Sequence, residues 1–484
     1  MKLSELIRGG EYLSSEIDMD TDIENICHAA DSVDEESLFV IPNSNKIPTF
    51  INMRPRAILC DRYAIIESAV PCIRVDNARR AIAYAYSRLN RIEHPRMKLI
   101  AITGTNGKTS TSVFIKRGLE AAGMKVGLIG TGQIMIGDER LSDDNYSMTS
   151  PDPWILYPTL RAMEGELCDA VVMEVSSHAL TLEKTAPLRF DYGVFTNMSM
   201  EHLDFHLDME SYYAAKRRLF SSCDTAIINI DDYYGRRLAR EHNGRKITAG
   251  ALWRGDVYVN NIENRGFDGV GYLYHGKNFT FKMNLCSAGV FNIYNSMLAV
   301  AVCTDMGVKP CNVKRALSDL PVISGRYEII KDEITVIIDY AHTDAAFENI
   351  LKNLMQAKRN EQKLTVVFGC GGDRDKSKRP RMAEVAEAYA DTIYVTSDNS
   401  RSEEPAKIIS DIVKGFKKDS FIIIEDREAA IREAIAKADR GCIVAIIGKG
   451  AERYNIDKSG YHYFNEKEII SSALRKRRSE TPCG

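Results

Sequence analysis

The sequence predicts a mixed α/β protein of three domains, and three observations carry that expectation. A chain of 484 residues is about three times the ~150 residues of an ordinary domain. From Lys98 onward, apolar runs of strand length alternate with helical segments, the pattern of a parallel sheet covered on both faces. After Arg326 the alternation starts afresh. The expected division is a small α/β domain over 1–96, a central domain over 97–326 and a C-terminal domain over 327–484.

In the first domain, Ser37-Leu38-Phe39-Val40-Ile41 and Ala57-Ile58-Leu59-Cys60 are short apolar runs. Asn77 to Arg91 reads as a helix with Ile82, Tyr86 and Leu89 on one face. Lys98-Leu99-Ile100-Ala101-Ile102-Thr103 is a buried-strand run, followed by a glycine-containing loop and a helix from Thr109 to about Ala122. Further strand runs end at Glu174, Thr196 and Asn229. Residues 256–286 change rhythm, with alternating segments and turn signals at Asp268-Gly269 and His275-Gly276-Lys277-Asn278, which predicts an antiparallel insertion. The C-terminal domain has strand runs at Val336–Asp339, Leu364–Phe368, Thr392–Val395, Phe421–Ile424 and Ile443–Ile447. They read as a second doubly wound sheet, whose ligand crevice lies where strands give way to helices. The basic run Arg475-Lys476-Arg477-Arg478 is expected to be a solvated tail.

Composition removes several function classes. Lys plus Arg total 64 against 67 acidic residues, a net charge of −3, which argues against a surface built for nucleic acid. No apolar run approaches the ~18–20 residues of a membrane span, and Glu5 stands where a signal peptide would be apolar. Eleven cysteines occur without a C-x-x-C pair, so neither a zinc ribbon nor a disulfide framework is indicated. The expectation is a cytoplasmic, multidomain protein.

Gly104-Thr105-Asn106-Gly107-Lys108-Thr109, between strand and helix, has the makings of a phosphate loop. Its backbone N–H groups and the helix N-terminus face phosphate oxygens, Lys108 neutralises their charge, and the Thr109 hydroxyl suits a magnesium ion. Ile102 stands where the general pattern would have another glycine, so that match is incomplete. Lys216-Arg217-Arg218, read alone, is an ordinary basic helix face. Asn292 and Asn295 offer both donor and acceptor, as a purine edge requires, and are equally ordinary as helix caps.

The chain resembles the Mur ligases, which build the peptide stem of the bacterial cell wall. The resemblance rests on Thr103-Gly104-Thr105-Asn106-Gly107-Lys108-Thr109, Glu174-Val175-Ser176-Ser177-His178-Ala179-Leu180, Thr196-Asn197 and His202-Leu203-Asp204. It continues through Tyr213-Ala214-Ala215-Lys216, Phe291-Asn292, Gly325-Arg326, Asp339-Tyr340-Ala341-His342-Thr343 and Gly369-Cys370-Gly371-Gly372-Asp373-Arg374-Asp375. These motifs run in the expected order over roughly residues 97–455.

The resemblance implies a uridine-nucleotide domain, a P-loop ATPase-like central domain and a Rossmann-like C-terminal domain that brings an amino acid. It implies an ATP-dependent ligase adding meso-2,6-diaminopimelate to UDP-N-acetylmuramoyl-L-Ala-D-Glu, with two magnesium ions. By the same resemblance, Thr109 and Glu174 serve one metal site. His202 and Lys216 serve the second, Lys216 as a carbamate. Lys108, Asn292, Asn295, Arg326 and Asp339 join the loop in holding ATP. Ser32, Thr149, Ser150, Ser176 and His178 fall to the acceptor, and Arg374, Asp398, Asn399, Arg401, Gly448 and Glu452 to the amino acid. Diaminopimelate differs from lysine by a distal carboxylate, which Arg401 could hold with two charge-assisted bonds.

The sequence departs from the family pattern at several points. Ser400 replaces a proline, removing a fixed φ from the loop that aims Arg401. Glu201 stands for an aspartate, Asp344 follows Thr343 without the usual proline, and Ala451 replaces a histidine. Asp31-Ser32-Val33 stands for Asp-Ser-Arg, with no Asp-Gly-His segment after it. Three alternatives therefore stay open: a lysine or other diamino-acid ligase on the same acceptor, a paralogue with another carboxylate acceptor, and a non-catalytic nucleotide-binding regulator.

Overall fold

The strand Lys98–Thr103 lies in the middle of an 11-stranded sheet, between strands Phe190–Phe195 and Ala170–Glu174, parallel to both. This computed structural model describes residues 1–7, 12–15, 17–29, 32–41, 54–64, 70–142 and 148–480; Asp31 lies outside them. The chain leaves Lys98–Thr103 on one side for Val126–Gly130, returns to fill the gap with Ala170–Glu174, then crosses to Phe190–Phe195. The end of Lys98–Thr103 is thus a topological switch point, where loops diverge and leave a crevice.

The expected strand ends at Glu174, Thr196 and Asn229 fall within a residue of the observed ones. The predicted antiparallel insertion, Val257–Asn264, Val270–His275 and Thr280–Leu285, is an extension of the same sheet, since Val257–Asn264 pairs in parallel with Arg245–Gly250.

The C-terminal sheet has six strands, all parallel except Glu328–Lys331 at one edge. Four of its five expected strands match. The fifth shrinks to Ile422–Ile423 at the far edge, with only one neighbour to pair with. The expected solvated tail is instead the end of a helix, Glu466–Glu480, which buries Ile470, Ala473 and Leu474 in the C-terminal core. Arg477 donates to Ile435 O at 2.7 Å and is partly buried, while Arg475, Lys476 and Arg478 are exposed as expected, Arg478 pairing with Asp332 at 3.2 Å; the run is solvated, but on a helix and not a tail.

The N-terminal domain is a five-stranded sheet packed by the helix Ala78–Leu89, whose N-cap Asn77 accepts from Arg80 N at 3.0 Å. Ile82 and Tyr86 are buried as expected and share one apolar cluster with Leu156 and Leu160 of the helix Pro153–Gly165. The domain is therefore docked on the central one through a common core. Among the described residues, no helix is long and apolar enough to cross a membrane and the cysteines are free thiols.

Candidate active site

The phosphate loop is shaped by two glycines. Gly107, at φ +83°, caps the helix Lys108–Glu120, and Gly104, at φ +152°, presses on Thr196 and Asn197. Thr196 Oγ1 donates to Asn106 O at 2.6 Å, and Asn106 N donates to Asn197 Oδ1 at 2.9 Å, so the neighbouring strand end braces the loop. Lys108 Nζ folds back over it, donating to Gly104 O at 2.9 Å and Thr105 O at 2.8 Å.

Lys216 approaches the same loop from the helix Met209–Ser221 and also donates to Gly104 O, at 2.9 Å. Two lysine side chains thus share one carbonyl. Burial holds the Lys216 amine well below the ordinary lysine range; Lys108 lowers it further and Glu201 opposes. Lys108 is lowered chiefly by burial too.

Glu174 ends the strand beside the loop and is fully buried. Its carboxylate accepts from Thr131 N and Thr131 Oγ1, both at 3.0 Å, and Thr131 Oγ1 also meets Thr149 Oγ1 at 3.0 Å. Ser150 Oγ donates to Glu174 O at 3.0 Å and accepts from Ser176 N at 2.9 Å. The structure therefore gathers Glu174, Thr149, Ser150 and Ser176 in one network. Thr131, which holds Glu174, carries no sequence motif that would have marked it.

Across the crevice, His202 takes a left-handed conformation at φ +57°, and His178 packs edge-on to it at 4.8 Å between ring centroids. Burial holds His202 below the usual imidazole value, with Glu201 opposing and Lys108 reinforcing, which favours the neutral form a metal ligand requires. Glu201 lies 3.5 Å from His202 Nε2 and 3.6 Å from Nε2 of His342, a residue of the C-terminal domain. Burial pushes the Glu201 carboxyl up, yet His342, His202 and Lys108 together hold it below the ordinary range.

A second tie crosses the same boundary. Arg326, stacked 4.2 Å from the Tyr340 ring centroid, donates to Thr109 Oγ1 at 3.0 Å. Asp339, expected as a nucleotide contact, also has an internal role. Its two oxygens accept from Tyr327 N and Ala341 N at 2.7 Å each, so it fastens the backbone that presents Arg326. Asn292 and Asn295 are likewise buried in internal bonds: Asn292 Nδ2 donates to Ala288 O at 2.8 Å, and Asn295 Nδ2 to Asn292 Oδ1 at 3.2 Å. Asn295 packs beneath Gly107 and supports the phosphate loop from below.

Most of the residues expected to take the amino acid converge elsewhere on the C-terminal domain. Asn399 Nδ2 donates to Glu452 Oε2 at 2.9 Å, and Asn399 N to Asp398 Oδ1 at 2.6 Å. Gly448, at φ +130°, leaves a Cβ no room beside Asp398 Oδ2, 2.9 Å away. Asp398 is held well below the carboxylate range; burial opposes its charge, but Lys449 and Arg427 outweigh it. Arg401 donates to Gly372 O at 2.9 Å and Asn399 O at 3.3 Å. Ser400 does not leave this loop loose. Arg401 N donates to Ile456 O at 3.0 Å, Gly372 N to Asn399 O at 2.9 Å, and Ser402 Oγ to Asp373 at 2.6 Å.

Two other residues stand apart from these networks. Arg374 is exposed on the facing loop and reaches Asp373 O at 3.4 Å. Ser32 is exposed on the N-terminal domain, donating to Ala29 O at 2.9 Å. Sequence reasoning missed Lys449, Arg427 and His342 as well as Thr131. Lys449 had a signal, since it lies between Gly448 and Glu452.

Comparison with known proteins finds relatives along most of the chain. The family model of the Mur ligase middle domain matches residues 102–303, and that of the Mur ligase glutamate ligase domain matches residues 325–450. UDP-N-acetylmuramoyl-L-alanyl-D-glutamate–2,6-diaminopimelate ligase 1 of Clostridium acetobutylicum is 36% identical over 488 residues, covering 98% of this chain and 100% of the relative. The ligase of the same description from Aquifex aeolicus is 41% identical over 415 residues, 84% of each chain. A solved UDP-N-acetylmuramoyl-L-alanyl-D-glutamate–2,6-diaminopimelate ligase superposes with a TM-score of 0.66 at 24% identity, covering 99% of both chains. Mycobacterium tuberculosis folylpolyglutamate synthase, complexed with ADP and AMPPCP, superposes with a TM-score of 0.64 at 16% identity, covering 83% of this chain and 95% of that one.

Proposed function

The chain belongs to the Mur ligase family, and on that premise we propose that it adds meso-2,6-diaminopimelate to UDP-N-acetylmuramoyl-L-Ala-D-Glu at the expense of ATP. It is an amide-forming ligase of peptidoglycan precursor synthesis, cytoplasmic, with small molecules as its substrates. A carboxylate is a poor electrophile, so its oxygen first takes the γ-phosphoryl group and ADP departs. The neutral amino group of diaminopimelate then attacks the acyl carbon, the C–N bond forms, phosphate leaves with the C–O bond pair, and the proton lost from nitrogen passes to phosphate or water. Lys108 and the loop amides bind and orient the phosphates, while Arg326 delivers a second cation from the domain boundary.

The donor set fits magnesium, because the Thr109 hydroxyl and the Glu174 carboxylate are hard oxygens and His202 is held neutral. Bound there, magnesium would lower the repulsion between two anionic reactants. Lys216 as an ammonium does not suit a cation site. Its depressed basicity supports a carbamate: the neutral amine adds to carbon dioxide, an N–C bond forms and a proton is lost, leaving an anionic oxygen ligand. Arg401, with Asn399 and Glu452, would receive the far end of diaminopimelate.

The observation that carries this reading is the meeting of Lys108, Glu174 and Lys216 at one switch point, tied by Arg326 and His342 to the domain bearing Arg401. The test is ADP release by the purified protein with UDP-muramoyl dipeptide and a panel of diamino acids. ADP should form only when acceptor and diaminopimelate are both present. Release with lysine alone from the panel, or none with any diamino acid, would refute the assignment.

A further inference from the structure

Behind the loop bearing Asp398, Asn399 and Arg401 lies an ammonium group that amide formation does not itself require. Lys449 is completely buried, between Gly448 and Gly450, both at positive φ. Its Nζ donates to Asn399 Oδ1 at 2.9 Å and to Glu452 Oε2 at 3.2 Å, and stands 3.6 Å from Asp398 Oδ1. Those three acceptors come from two separate segments of chain, so the ammonium joins the loop after one strand to the turn after another.

The bonds around it fix the Asn399 amide. Asn399 Oδ1 accepts a second bond from Ile456 N at 3.0 Å, which fills its two lone-pair sites, and its Nδ2 donates to Glu452. Turned over, the amide would set its NH₂ against the Lys449 ammonium. One amide proton and one Glu452 oxygen are left outside these bonds. The charges also count. Asp398 and Glu452 are two carboxylates side by side. Arg427, behind them, is committed to Glu466 at 2.6 Å, both groups being buried. Lys449 is the cation in direct contact with both pocket carboxylates.

We propose that Lys449 is a positioning residue that sets amino-acid preference, by orienting Asn399 and offsetting the charge of Asp398 and Glu452. With it, the pocket tolerates a far end that carries a carboxylate beside an ammonium. Without it, two partly uncompensated carboxylates repel that carboxylate and still attract a bare ammonium, as in lysine. The inference rests on the diaminopimelate reading above.

The test measures kcat and KM for diaminopimelate and for lysine, at saturating ATP and acceptor, alongside thermal unfolding. It uses wild type, Lys449→Met, Lys449→Arg and the double variant Lys449→Met/Glu452→Gln. Lys449→Met should lower the diaminopimelate-to-lysine ratio of kcat/KM by about tenfold or more, through the KM for diaminopimelate, as unfavourable placement of like charge demands. Lys449→Arg, which keeps the charge, and the charge-balanced double variant should each recover most of the ratio. A folded Lys449→Met that loses both amino acids equally would reduce Lys449 to a structural role and overturn the inference. If the single methionine variant does not fold, the double variant decides: a retained ratio supports the charge argument, and a collapsed one refutes it. A wild type indifferent to diaminopimelate overturns the functional reading, and this inference with it.

Discussion

Replacing Gly107 by alanine tests the phosphate loop at the position where its geometry is tightest. Gly107 sits at φ +83° and ψ −4°, and an L-residue in that region costs about 1–2 kcal/mol. The added Cβ would also fall far inside van der Waals contact with Asn295 Oδ1, and 3.3 Å from Asn295 Cγ. Asn295 cannot swing aside freely, because its amide bonds Asn292 Oδ1 at 3.2 Å and accepts from Thr111 Oγ1 at 3.4 Å. Surrendering both contacts costs about 0.5–1.5 kcal/mol each. The expected destabilisation of Gly107→Ala is therefore about 2–5 kcal/mol, with a matching rise in the KM for ATP. Both tryptophans, Trp154 and Trp253, belong to the central domain, so their fluorescence during urea unfolding reports the right unit. Adding Asn295→Ala removes the steric partner and should return about 1 kcal/mol or more as a coupling energy. A single variant within about 0.5 kcal/mol of wild type, or strictly additive costs in the double variant, would refute the assignment of Asn295 as the floor of the loop.

Three further outcomes follow from the site. Lys108→Ala should lower kcat by about 10²-fold or more, the scale of losing one preorganised charge, with near-normal turnover removing Lys108 from the mechanism. Lys216→Ala should be nearly inactive and partly restored by added acetate or formate, whereas full activity of the variant would count against a carbamate. In wild type, a carbamate should also give a carbonyl signal after exchange with labelled bicarbonate. Arg401→Ala should lose about 10- to 150-fold of the preference for diaminopimelate over lysine, the worth of a charge-assisted bond of about 1.5–3 kcal/mol, with lysine use little changed. Retained preference in kcat/KM would move the distal carboxylate elsewhere in the pocket.

What could be read from the sequence divides along a physical line. Strand and helix positions follow from period and run length, so Lys98–Thr103, Leu364–Phe368 and Ile443–Ile447 were legible to the residue. The phosphate loop was legible because one short segment carries its chemistry. Residues whose meaning depends on distant partners were not. Thr131 is an ordinary threonine until Glu174 arrives from another strand, and His342 is an ordinary histidine until Glu201 comes within reach. Asp339 and Asn292 look like ligand contacts by residue type, and the bonds they make inside the fold, to the Tyr327 and Ala341 amides and to Ala288 O, come from partners that the sequence around them does not reveal. Arg475–Arg478 shows a mixed outcome. The charge run is largely exposed, as its composition implies, but it is helix and not tail, because Ile470, Ala473 and Leu474 before it hold the spacing of a docking helix.

The buried pair of Arg427 and Glu466 has a consequence for how the molecule comes into being. Arg427 also donates to Ser397 O at 3.2 Å and Ile447 O at 3.1 Å, directly behind the Asp398 loop. A buried guanidinium without its carboxylate would cost several kcal/mol, so this region is not settled until Glu466 is in place. On a ribosome moving at about 5–20 residues per second, the roughly 140 residues from Arg326 to Glu466 take about seven to thirty seconds. During that interval the segment carrying the loop, Lys216 and Asn295 is already synthesised. On the proposed reading, the residues that would hold ATP thus leave the ribosome well before those that would hold the amino acid, and a chain stalled within the last domain would lack the second set.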